Sequence, residues 1–254
     1  MKKLHYLLLL PLLLTSCLDV DGPSMASTQT ISVGETSFRM IFVPSGSFTM
    51  GSYGSNAAQG REDEFPAHNV YVSSFYICET EITAAVWNAV MNDSLAGASA
   101  KFPAAKVSYT RVMEFISRLN QVTGRTFALP TEAQWEYAAR GGADQKPYLY
   151  AGSDDIDIVA VYDTTMALPI GQHNANSIAL YDMSGNVAEW CQDWYGPYSS
   201  SDQNMPTGPT TGTYRVVRGG SYLSSDRDCR VSSRSYAAPD SVSPAIGFRL
   251  VLYL

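Results

Sequence analysis

Few side chains in this sequence are equipped for covalent or metal chemistry. Cysteines stand at Cys17, Cys78, Cys191 and Cys229, and histidines at His5, His68 and His173. A mononuclear iron centre needs histidines and carboxylates gathered at one place. His5 falls in an apolar N-terminal stretch, and His173 sits in a Gly171-Gln172-His173-Asn174 loop with no recognisable ligand partner, so iron chemistry is not expected. No H-E-x-x-H string, phosphate-binding glycine loop or Ser-His-Asp arrangement occurs. A cysteine reacts as its thiolate, and a lone one is more often a buried small hydrophobe. With Cys17 set aside, Cys78, Cys191 and Cys229 cannot all pair within one chain. At least one is free or pairs with another molecule, so the chain is not a disulfide scaffold.

Composition sets the frame that must hold these residues. The chain has 254 residues, 45% hydrophobic and only 16% charged, with 19 glycines, 16 tyrosines and 13 prolines. That supports a real core and much irregular backbone, and excludes wholesale disorder. The net charge is −7; without Lys2 and Lys3 it becomes 15 basic against 24 acidic residues, or −9. Such an acidic chain has no general attraction for phosphate backbones, so nucleic acid is not expected as a partner. Lys2 and Lys3 precede the run Leu7-Leu8-Leu9-Leu10-Pro11-Leu12-Leu13-Leu14, too short to span a bilayer and of the form of a secretory signal. It ends in Leu14-Thr15-Ser16-Cys17, which resembles the lipobox of bacterial lipoproteins. Residues 1–16 are therefore expected to be a signal peptide and Cys17 a lipidated N-terminus, with acyl chains as the only membrane attachment. Residues 17–29, rich in Ser, Thr, Gly and Asp, read as a tether. Asp19 and Asp21 are of the kind that influences sorting of lipoproteins between membranes or to the surface. The expected address is the bacterial cell envelope, with exposure on the outer membrane an open option.

The elements that position the rest follow from periodicity. Residues 31–50 alternate in part, as strand and turn, and 70–77 is a second strand candidate through Val70, Val72, Phe75 and Ile77. Helices are expected over 83–91, capped by Thr83, over 108–122, capped by Ser108 and stopped by Gly124, and over 131–140, capped by Thr131. Beyond 142 the chain is short segments and turns, closing in an apolar strand over 248–254. Helices first and irregular β afterwards argue for one α+β domain over 30–254.

Seven strings then follow one another: Gly46-Ser47-Phe48-Thr49-Met50-Gly51, Phe65-Pro66-Ala67-His68-Asn69-Val70, Glu79-Thr80-Glu81-Ile82-Thr83, Leu129-Pro130-Thr131-Glu132-Ala133-Gln134-Trp135-Glu136-Tyr137-Ala138-Ala139-Arg140-Gly141-Gly142, Leu180-Tyr181-Asp182-Met183-Ser184-Gly185-Asn186-Val187-Ala188-Glu189-Trp190, Arg218-Gly219-Gly220-Ser221-Tyr222 and Gly247-Phe248-Arg249. In this order they resemble the formylglycine-generating enzyme, or sulfatase-modifying factor, superfamily. The resemblance covers about 31–254 and implies an elaborated C-type-lectin-like fold. It also places His68 in the family's common turn before a strand, where a structural role is expected.

The resemblance implies less about activity, since the scaffold hosts both oxidases and binding proteins. The family's oxidases hold copper between two cysteines five residues apart, soon after the Gly-Gly-Ser-aromatic turn. The corresponding positions here are Ser224 and Cys229, and a hydroxyl cannot replace a thiolate on Cu(I). Ala128 and Ala188 also stand where the active enzymes carry Arg and Trp. A non-catalytic member is expected; the alternative is a copper oxidase acting on a cysteine substrate through Cys229. The resemblance further implies a structural Ca²⁺ held by Asp182 and Glu189 carboxylates and by Gly185 and Val187 carbonyls, a hard-oxygen set that suits this ion. The competing expectation is that Asp182 caps a turn and Glu189 pairs with Arg218 or Arg249.

Residues 221–245 are mostly Ser, Asp, Tyr, Ala and Pro. In position and style they resemble the variable region of diversity-generating retroelement proteins, whose adenine-directed mutagenesis leaves codons unable to encode Met, Trp, Lys, Gln or Glu. None of those five types occurs in 221–245, although the same absence runs over 206–254. Rigid tyrosines among adaptable serines suit a binding surface. The expected contacts to a protein or cell-surface ligand are Tyr222, Leu223, Ser224, Ser225, Asp226, Asp228, Ser233, Ser235, Tyr236, Ser241 and Ser243. A part in a cell-envelope assembly is a further option.

Overall fold

Each of three helices begins where a hydroxyl precedes an apolar run. The Thr83 hydroxyl accepts from Val86 N at 3.3 Å before α1 (Ala84–Met91), Ser108 from Arg111 N at 3.3 Å before α2 (Tyr109–Thr123), and Thr131 from Gln134 N at 3.1 Å before α3 (Glu132–Ala139). Each cap satisfies an N–H that the first helical turn leaves without a partner, worth about 1 kcal/mol. Gly124 ends α2 in the left-handed conformation at φ 65°. These elements come from a computed structural model that describes residues 27–95 and 99–254. The expected signal peptide and Cys17 lie outside the described residues.

The first sheet is antiparallel throughout, in the order Thr28–Val33, Thr36–Val43, Phe75–Cys78, Val251–Leu252, Phe127–Ala128. Its edge strand opens at Thr28, so the last residues of the expected tether belong to the sheet. The single strand expected over 70–77 is two, His68–Val72 and Phe75–Cys78, in different sheets. Val72 and Phe75 both point inward, and the chain changes sheet across Ser73 and Ser74. The closing strand expected over 248–254 is regular only at Val251–Leu252; before it, the Leu250 and Phe248 carbonyls accept from Cys78 N and Ile82 N.

A sheet ordered Arg234–Ala237, Arg215–Arg218, Ala188–Trp194, Ile246–Gly247 carries the later motif strings. Between α1 and α2 the Trp87 ring stacks on Phe115 with centroids 5.3 Å apart, and Phe248 meets both edge-on. The other core lies around α3, all eight residues of which are buried, including Glu132, Gln134 and Glu136. A helix enclosed on every face cannot send its carboxylates to water, so each must find a cation inside.

Candidate functional site

Those cations are arginines: Arg140 just after α3, Arg218 from a later string, and Arg234 from the C-terminal segment. Arg140 Nη2 meets Glu136 at 2.7 Å, Arg218 also bonds Glu136, and Arg234 binds Glu132 through Nε at 2.7 Å and Nη2 at 2.8 Å. Arg230 binds Glu64 at 2.5 and 2.8 Å. Burial alone would raise the Glu64 carboxyl, but Arg230 and the Ser52 hydroxyl hold it down at about 2. Arg249 chelates Glu189, with Nε 2.9 and 2.7 Å from its two oxygens and Nη2 at 2.7 Å from one. All five guanidiniums are buried. Several bond main chain as well: Arg218 reaches the carbonyls of Val231, Ser232 and Ser233, and Arg234 those of Asp63 and Gly196. These pairs, drawn partly from the motif strings and partly from Glu64, Arg230 and Arg234, form an internal ion-pair frame that runs into the C-terminal loops.

On that frame sits a polar cleft of about 330 Å³. Of the expected contacts, Ser224, Asp228, Ser233, Ser235 and Ser243 line it together, with Arg61 paired to Asp228 at its side. Leu223, Ser225 and Asp226 are exposed beyond it, and Ser241 is half-buried. Tyr236 is 50% exposed and packs against Tyr195 and Tyr214, centroids 4.4 and 5.0 Å away. Tyr195 and Tyr214 were not among the expected contacts; nothing in their local sequence marks them, because the cross-strand pairing of 215–218 with 234–237 brings the rings together. Tyr222 and Ser233 differ from expectation, being 7% and 4% exposed. Tyr222 is drawn in because its N–H donates to Asn186 O and its carbonyl accepts from Thr164 N, which sets the ring against Val161 and Ala245.

The expected copper positions are now placed. The Ser224 hydroxyl accepts from Ser221 N at 2.9 Å and closes a turn. Cys229 is fully buried beside Tyr150 and Val159. Burial first, and then the charges of Asp228 and Asp226, push its thiol up to about 12, so it is not a thiolate near neutral pH. His68 is likewise engaged, Nδ1 lying 3.1 Å from Pro66 O and the ring against Tyr198. Cys78, Cys191 and Cys229 are all free thiols.

The expected calcium loop is held tightly. Gly185 takes φ +81°, and a Cβ there would stand 2.3 Å from Val161 O. Asn186 joins three segments: its Nδ2 donates to Glu81 Oε1 at 3.0 Å, its Oδ1 accepts from Leu168 N at 3.0 Å, and its N–H donates to Val161 O. Asp182 Oδ2 accepts from Gly171 N at 2.7 Å, a bond across a long loop rather than the cap of a turn. Glu189 is engaged on both oxygens, since Trp135 Nε1 donates to it at 2.7 Å alongside Arg249. Its charge is therefore already balanced. Sequence reasoning read Glu81 only as part of a motif string; it is 1% exposed and its Oε2 has no partner among the described residues. Burial and then the Asp182 charge push the Glu81 carboxyl well above its ordinary range. Among the described residues no three His, Cys, Asp or Glu side chains are grouped to hold a metal. Glu189 thus follows the competing expectation, paired with Arg249 rather than left open to a cation.

Comparison with known proteins agrees with this geometry. The family model of the sulfatase-modifying factor enzyme 1-like domain matches residues 29–254. A serine/threonine-protein kinase pkn1 of Chlamydia caviae is 31% identical over 242 residues, covering 83% of this chain and 37% of that protein. The chain thus spans little more than a third of that relative's length. The formylglycine-generating enzyme of Streptomyces coelicolor is 40% identical over 141 residues, 48% of this chain and 45% of the enzyme. Among solved structures, Treponema denticola variable protein 1 superposes with a TM-score of 0.79 at 25% identity, covering 90% of this chain and 99% of the other. The chain belongs to the sulfatase-modifying factor, or formylglycine-generating enzyme, family and has its α+β, C-type-lectin-like fold.

Proposed function

We propose that this chain is a lipid-anchored, non-catalytic member of the family that binds a protein or cell-surface ligand through the polar cleft and the Tyr236 ridge. One observation carries the proposal. Where an oxidase would present two thiolates, this chain has a turn-closing Ser224 and a buried, protonated Cys229, and the space nearby is lined by serines. Serine hydroxyls flanked by exposed tyrosine form an adaptable recognition surface with little chemistry to offer. The likeness to a protein named as variable supports the same reading. Incubation with copper and a cysteine peptide is expected to yield no aldehyde, and turnover that disappears in Cys229→Ser would overturn the proposal in favour of an oxidase. In the binding reading, substitutions across isolates of the source population should concentrate at 222–245, sparing Arg230 and Arg234, which belong to the constant frame.

A structural Ca²⁺ belongs to this proposal, with Glu81 and Asp182 as its carboxylate donors. Two buried carboxylates from different segments, near enough for the Asp182 charge to act on Glu81 and one of them with an unpartnered oxygen, suit a hard divalent cation. Chelator is expected to lower the melting temperature of the wild type and to leave Asp182→Asn unmoved. An unchanged wild-type melting temperature would remove the site.

A further inference from the structure

Consecutive residues of two segments face different spaces. Ser221 and Ser243 line the polar cleft, whereas Tyr222 and Pro244 line a second cleft of about 520 Å³ on the other side of the same wall. The walls of this second space are mostly apolar, through Leu95, Phe102, Pro103, Met166, Tyr222 and Pro244, with Ser94 and Thr165 beside them. Backbone bonds fix them in place. Tyr222 O accepts from Thr164 N at 2.7 Å, Phe102 O from Ala84 N at 2.9 Å, and Ser243 O from Lys106 N at 3.0 Å. Met166 is 60% exposed, an unbranched side chain able to fold over an occupant.

Lys106 is the only charged residue among those lining the cleft, and no carboxylate lines it. Lys106 is exposed, holds its backbone in the left-handed region at φ 60°, and makes no ion pair among the described residues. That conformation is costly for a residue with a Cβ, and the Ser243 contact holds it there. An isolated cation at the rim of an apolar cleft, in a chain of net charge −7, complements a ligand that is apolar along its length and anionic at one end. The volume lies in the range of small-molecule sites, which are mostly apolar with a few polar groups fixing orientation.

We infer that this cleft is a binding site for a small aliphatic carboxylic acid, with the chain among Phe102, Met166 and Tyr222 and the carboxylate at Lys106. The site does not depend on what the polar cleft binds. The probe is decanoate, below micelle formation, titrated calorimetrically into the full chain, with decanol and decylammonium as comparators. Decanoate should saturate at one per chain, decanol should bind about fivefold more weakly, as befits one exposed ion pair, and decylammonium more weakly still. Lys106→Gln should bring decanoate down to the decanol level, and Ala167→Trp, filling the cleft from its wall, should abolish binding of both. Equal affinity for decanoate and decanol, absence of saturable binding, or binding indifferent to both substitutions would overturn the assignment. Lys106→Gln alters only an exposed side chain, so it remains readable even if Ala167→Trp does not fold.

Discussion

Arg249→Met is expected to cost about 3–5 kcal/mol of stability, the usual effect of removing one partner from a buried ion pair. For a domain of this size that is a melting temperature lower by roughly 10 °C. Arg249 neutralises Glu189 by chelation, and it feels the charges of Glu81 and Asp182 as well. It also ties the carbonyls of Cys78 and Tyr181 at 3.1 and 2.9 Å. Methionine would fill much of the volume but leave Glu189 without its cation and remove the positive charge near Glu81 and Asp182. The double variant Arg249→Met/Glu189→Leu should recover part of the loss, since the paired charge then disappears with its partner, although Trp135 Nε1 would lose its acceptor. Denaturant unfolding checks both, and a single-variant loss under 1 kcal/mol would refute the frame. Chelator and Arg249→Met act on the same cluster of charges, so their effects should not add.

Gly185→Ala is the second large expected effect. The residue sits at φ +81°, where an L side chain is strained, and its Cβ would stand 2.3 Å from Val161 O and 2.9 Å from Val161 N. Backbone cannot rotate aside as a side chain can. The short parallel pairing of Ala160–Val161 with Ser184–Gly185 would have to open, and with it the Asn186 bonds to Val161, Leu168 and Glu81. A loss on the order of 4 kcal/mol is expected, at the extreme of single substitutions. Thermal unfolding should show it, and Gly34→Ala offers the contrast: its φ is also positive, but a Cβ there meets nothing within 4 Å, so its cost should be limited to backbone strain of about 1 kcal/mol.

What could be read from the sequence divides along the reach of the interactions. Thr83, Ser108, Thr131 and Gly124 act on residues three or four positions away, and they mark helix ends as expected. The ordered strings identified the fold because so many fixed spacings recur together. The strand at 246–247, by contrast, exists because it pairs with 188–189 across the chain, and nothing in two residues signals that. The same holds for the ion pairs. Arg249 was one of two arginines open to Glu189, and only the folded chain chooses between them. Glu81 was read only as part of a motif string, because a glutamate between Thr80 and Ile82 looks like any surface residue until Asn186, over a hundred residues on, closes on it. The serines of the polar cleft were legible as a group, but Tyr222 was not, since its inward turn follows from the main chain of Asn186 and Thr164.

The grip of Arg218 on residues 231–233 has one more consequence. Its contacts there are carbonyl oxygens, at 3.1 Å for Val231 and Ser232, and a carbonyl is the same in every amino acid. The path of this loop is thus held in part by atoms that mutation does not change, while the Val231, Ser232 and Ser233 side chains are buried in the frame itself. A lineage can rewrite the exposed Ser235 or Tyr236 without renegotiating the architecture beneath, which is the property a protein needs if its partners change faster than its fold.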